Sequence, residues 1–243
     1  MLKYLTVIIF VGLLALYFFA VPISGIDIAL SRTFLTIATF LFAIFAGFFI
    51  SRQGTRYSNI RDQITTFDGS MSAIYRFAGH LGSEVQEEVK EIIKNHYETI
   101  LKNKAWDWHF THKSSTISSI HFLLEEKIKD QALPTLRNFG VQRILVNLRS
   151  LQVARKNMIA LHTERIPRFQ WVLIVFLAAI LLVAVSTIPS FQYFLGALLK
   201  AAFGTAVIFV IILLNEFDKL RFFEGTMGER SAQDILDIFT GKK

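Results

Sequence analysis

The sequence predicts an all-α membrane protein, and three observations carry the prediction. Of 243 residues, 53% are hydrophobic and only 19% charged. Long apolar runs recur toward both ends of the chain, and no stretch alternates apolar with polar residues as a half-buried strand would. The 24 phenylalanines exceed what one soluble core of this size needs. Four runs, 4–21, 33–50, 169–188 and 194–214, approach the roughly 20 residues that cross a hydrocarbon core as helix. The predicted organisation is a first transmembrane pair at 1–51, a cytoplasmic helical insert at 52–168, a second pair at 169–215 and a cytoplasmic tail at 216–243.

The first run, "MLKYLTVIIFVGLLALYFFAVP", has a basic start and Ala20, features that also suit a cleaved signal peptide. Retention is preferred, because cleavage would leave three spans and put the basic insert and the tail on opposite sides of the membrane.

The second run packs six phenylalanines into 33–50 without a charge. At about 100° per residue, Phe34, Phe42, Phe45, Phe48 and Phe49 share one arc of about 120°. Thr36, Thr39, Ala43, Ala46 and Gly47 fill the opposite side. The small pair Ala43 and Gly47, four apart, is expected to let another helix backbone approach closely. Along one border of the bulky arc, Phe40, Ile44 and Phe48 form a slanting ridge. Such a ridge can face lipid or another helix. Several copies around an axis would instead make a hydrophobic constriction that offers an ion no trapping site.

The insert carries 18 Lys and Arg against 12 Asp and Glu, which is +6 of the net +7. That distribution reads as cytoplasmic retention of positive charge rather than a nucleic-acid footprint, and it places both termini and the insert on the cytoplasmic side. Breaks are expected near 79–83, 113–119 and 132–134. A helix with Val85, Val89, Ile92, Ile93, His96 and Ile100 on its inner stripe is expected to start at a Ser83 cap. The next begins at Pro134 and buries Leu145, Leu148, Leu151 and Met158. Its arginines scatter around the cylinder and read as a solvated surface.

In the fourth run, Lys200 either snorkels to the outer interface or faces a vestibule and concentrates anions there. The closing "NEFDK" offers Glu216 and Asp218 for pairing with Arg52 or Arg56, with a titrating gate as the alternative. Asp62 and Asp68 do not share a helix face. With no cysteine, no phosphate loop, no His-Glu-x-x-His and no Gly-x-Ser-x-Gly, no enzymatic chemistry, cofactor or metal site is expected. His109 and His112 could meet on a helix near His121, but no carboxylate or thiol completes a metal set. Trp106, Trp108 and Phe110 read better as core anchors. No nucleic-acid module is present.

The stretch "GFFISRQGTRYSNIRDQITTFDGSMSAIYRF", the "IPRFQW" approach to the third span and the "LLNEFDKLRFFEGTM" exit from the fourth resemble the bestrophin-like family of prokaryotic and plant membrane proteins. Asp68 stands where that family more often has Glu, and the exit lacks its Leu-Asp-x-Pro proline. The resemblance implies a homopentamer of anion-channel type, in which Phe40, Ile44 and Phe48 line a narrow neck. Gly47 before the third bulky residue and Arg56 eight residues after it fit the same pattern. It further implies that Phe42, Phe45 and Phe49 pack against the first and other spans. Lys200, Arg56, Asp68 and Asp218 are then candidate pore or gate charges. No counterpart of the animal channels' acidic calcium clasp is found, so calcium gating is not expected. The expected partners are the lipid bilayer, further copies of the chain and inorganic anions such as chloride, in a prokaryotic inner membrane. The competing expectation is a non-conducting scaffold or sensor whose insert docks a cytoplasmic partner.

Overall fold

The computed structural model describes residues 2–19, 28–128, 135–189, 193–221 and 228–239. Among these the chain is helical and strand-free: α1 (Leu2–Phe19), α2 (Ile28–Ala78), α3 (Ser83–Asn103), α4 (Trp108–Thr111), α5 (Thr116–Ile128), α6 (Thr135–Thr163), α7 (Arg168–Ser186), α8 (Tyr193–Asp218) and α9 (Gly228–Phe239). Three of them, α2 from Ser31, α7 and α8, are long and apolar enough to cross a membrane, while the apolar helix Val7–Phe19 within α1 is shorter. The chain divides into two compact units, Met1–Gly54 with Arg165–Lys219, and Thr55–Glu164 with Leu220–Lys243.

In the first unit α1 lies along α8. Gly204 makes this close approach possible, because a Cβ there would sit 3.1 Å from the methyls of both Leu13 and Leu182. Nearby, the Tyr17 hydroxyl donates to the Leu182 carbonyl at 3.3 Å. Ala38, Phe42, Ala46 and Phe49 of α2 join Ile174, Leu177, Ala178 and Leu181 of α7, with Val207 and Leu214 of α8, in one apolar cluster against which Phe45 is half-buried. This corrects the expected division of α2 into a bulky and a small face. The buried half mixes both sizes, Ala38 and Ala46 alternating with Phe42 and Phe49. Within the chain Ala43 is exposed and a Cβ on Gly47 would meet nothing within 4 Å.

The second unit has its own core, built from Met71 and Ile74 of α2, Val89, Ile93 and Tyr97 of α3, Ile120 and Leu124 of α5, and Ile144 and Leu151 of α6. The inner stripe of α3 is Val85, Val89, Ile93, His96, Tyr97 and Ile100. Its cap is Gly82 rather than Ser83: the backbone there has φ 128°, a conformation that suits glycine, and Gln86 N–H bonds to the Gly82 carbonyl at 3.1 Å. On α6 the buried row is Val141, Ile144, Leu148, Leu151, Ala154 and Met158, and Leu145, one step of about 100° away, turns outward. Helix α5 begins at Thr116, which shortens the expected break at 113–119; the break at 132–134 and the Pro134 helix start lie outside the described residues. The tail's helix α9 is part of this core through Ala232, Ile235 and Phe239, and the Phe239 ring lies 4.7 Å from that of Tyr75.

Candidate functional site

On α2 the burial pattern leaves one contiguous half of the cylinder uncovered by the rest of the chain. Phe40, Ile44 and Phe48 run through that half, 65%, 49% and 56% exposed, beside Ala43, Gly47, Ile37 and Thr33. Phe42 and Phe49 point the other way, and Phe49 supports Phe48 edge-on at a ring separation of 5.7 Å. The ridge is therefore a row of large apolar side chains on a helix whose opposite side is fixed by packing. It carries no charge and offers an ion only weak interactions.

The four candidate charges are distributed differently. Lys200 Nζ reaches the carbonyl of Ser186 at 3.4 Å, in the final turn of α7, where carbonyls lack helical partners and a cation is favoured by the helix dipole. Asp218 accepts the Ile166 N–H at 2.8 Å through its carboxylate, and Arg165 donates to its backbone carbonyl, so it fastens the approach to α7 onto the end of α8. Arg56 is only 3% exposed; its Nε donates to the Leu161 carbonyl at 2.7 Å and its Nη2 to the His162 carbonyl at 3.0 Å. These bonds make Arg56 the cap of the C-terminal turn of α6. Asp68 is likewise buried, accepting the Tyr97 hydroxyl at 2.6 Å and the Ser231 hydroxyl. Burial raises its carboxyl above the usual range, and the two hydroxyls offset part of that rise.

His109 and His112, which the spacing would allow to meet, turn apart. His112 stacks on Trp108 with ring centroids 3.9 Å apart, whereas His109 turns inward and stacks on His96 at 3.7 Å. His109 Nε2–H donates to the His96 carbonyl at 2.9 Å, and His96 Nδ1 lies 2.9 Å from the Thr116 hydroxyl. Among the described residues no three His, Asp or Glu side chains gather as a metal site. The His96–His109 stack was not legible in the sequence. His96 appeared only as one inner position of α3, and the turn that folds His109 back over it has no periodic signature.

Burial holds both imidazoles below their ordinary value, and the nearby Arg155 guanidinium adds to it. The unfolded chain protonates them near pH 6.5, the folded chain resists, and so stability falls as pH drops through that range. Resistance of the whole protein to chemical unfolding is expected to fall from pH 7 to pH 5. Asp68 acts in the opposite sense, since its raised carboxyl favours folding as pH falls. The variant His96→Gln isolates the imidazole contribution: its pH slope should be flatter than wild type, and an unchanged slope would contradict the account.

A family model described as the Bestrophin-like domain matches residues 4–228. No curated protein and no solved structure matches the chain. The match runs from α1 through the start of α9, taking in the apolar helices, the α2 ridge and the helical insert, and on that extent the chain belongs to the bestrophin-like family.

Proposed function

We propose that this chain is not an enzyme but one subunit of an oligomeric, anion-selective channel, with Phe40, Ile44 and Phe48 of neighbouring copies facing a common axis to form a hydrophobic neck. The carrying observation is the uncovered half of α2: three large apolar side chains sit in one row on a helix whose other half is buried by α7 and α8. Membership of the bestrophin-like family supports the same reading. Four spans, α1, the first part of α2, α7 and α8, place 52–168 and both termini in the cytoplasm by the bias of positive charge toward that side. The +6 of the insert then supplies a vestibule that enriches anions before the neck. A dry neck passes ions that need not be held, and closes by losing its water.

The test is conduction across planar bilayers with unequal chloride on the two sides. Wild type should reverse near the chloride equilibrium potential, and Phe40→Ala, Ile44→Ala and Phe48→Ala should each raise the current by widening and wetting the neck. Absence of current, or current indifferent to all three changes, would favour the non-conducting scaffold, in which the ridge faces acyl chains.

A further inference from the structure

The second unit contains a cavity of about 260 Å³ between α3, α5 and α6. Its size lies just under that typical of small-molecule pockets and is generous for a bare halide. Arg155 and Lys156 line it from α6, His109 from α4, and Ser114, Thr116 and Ser118 from the opening of α5. No aspartate or glutamate among the described residues is part of the lining. Among the described residues neither cation meets a carboxylate; Arg155 spends only its Nε, on the His109 carbonyl at 3.4 Å. Phe67 and Phe110, packed edge to face at 5.9 Å, form an aromatic wall beside the polar groups.

We propose that this cavity binds the phosphoryl group of a small phosphate-bearing ligand. Two adjacent cations that meet no carboxylate among the described residues match a dianion better than a single negative charge. The serine and threonine hydroxyls supply donors for the remaining oxygens, and the first turn of the thirteen-residue α5 adds N–H groups that lack helical acceptors. The aromatic wall leaves a place for an organic substituent on the phosphate. This site is independent of the channel reading, since its ligand is recognised wholly within the second unit.

The test uses the whole protein in detergent at constant ionic strength in chloride, titrated with inorganic phosphate and separately with phenyl phosphate. Binding is read as a concentration-dependent rise in unfolding temperature and as broadening of the ligand's phosphorus resonance. Saturable binding of at least one probe is expected, weakened tenfold or more in both Arg155→Gln and Lys156→Gln. Tighter binding of phenyl phosphate would identify an esterified ligand, and equal binding would identify free phosphate as sufficient. Because Arg155→Gln also removes a bond to the His109 carbonyl, Ser118→Glu serves as a second probe. It sets a carboxylate at the exposed rim and should abolish binding while the ligand-free unfolding temperature holds. No saturable binding of either probe, or equal binding by wild type and Lys156→Gln, would overturn the proposal.

Discussion

Replacing Arg56 by alanine is expected to destabilise the protein by about 3 kcal/mol, seen as a lower midpoint in chemical denaturation. The guanidinium is 3% exposed and bonds the Leu161 and His162 carbonyls, the last orphan acceptors of α6. Removing it leaves two carbonyls without their donor and a void where the side chain lay, and each buried acceptor so orphaned costs about 1–3 kcal/mol. Arg56→Lys should recover only part of the loss. A single ammonium on a flexible stem cannot present two parallel N–H groups to successive carbonyls as the planar fork does. A midpoint for Arg56→Ala indistinguishable from wild type would show that water or a neighbouring donor takes over those carbonyls.

Arg56 also illustrates where sequence reading stops. Its spacing from Phe48 suggested a charge along a conduction path, yet spacing along one helix says nothing about a partner more than a hundred residues away. The bond to Leu161 spans 105 positions and depends on where α6 ends, a boundary the sequence marks only by the proline at 167. By contrast, the apolar runs and most of the inner stripe of α3 were legible, because hydrophobic periodicity is a local property that one helix face expresses by itself. The α2 faces were half legible. Helical spacing put Phe40, Ile44 and Phe48 in one ridge, but the arc that grouped Phe48 with Phe42 and Phe49 by size was the wrong guide to which half is buried. Helices in contact need small residues between large ones, so Ala38 and Ala46 go inward with the rings, while Ala43 and Gly47 stay on the uncovered half with the ridge. Leu145 failed for a similar reason: one step of about 100° moves a leucine from the core to the surface, and composition cannot tell which of two neighbouring apolar positions the fold selects.

The Asp68 network carries the second large prediction. Asp68→Leu is expected to cost about 3 kcal/mol and to loosen α9 selectively, because it deprives the fully enclosed Tyr97 hydroxyl of its acceptor and removes the anchor of Ser231. The Tyr97 phenol is held well above its ordinary value, by burial first and then by the Asp68 carboxyl, so it cannot ionise to escape the loss. Asp68→Asn keeps an acceptor of nearly the same shape and should cost markedly less, in keeping with a carboxyl whose burial already favours the neutral form. Hydrogen exchange separates a local from a global effect. Amides of 228–239 should exchange faster in Asp68→Leu than in Asp68→Asn, while those of α3 around Val89 and Ile93, deep in the core, keep most of their protection. Uniform acceleration across α3 and α9 would mean that the carboxyl supports the whole unit rather than the seat of its last helix. Ala232, Ile235 and Phe239, the last with its ring against Tyr75, add apolar contacts from α9 to the same core. The Ser231 bond is directional, so its loss should let α9 slide along α3 before it detaches.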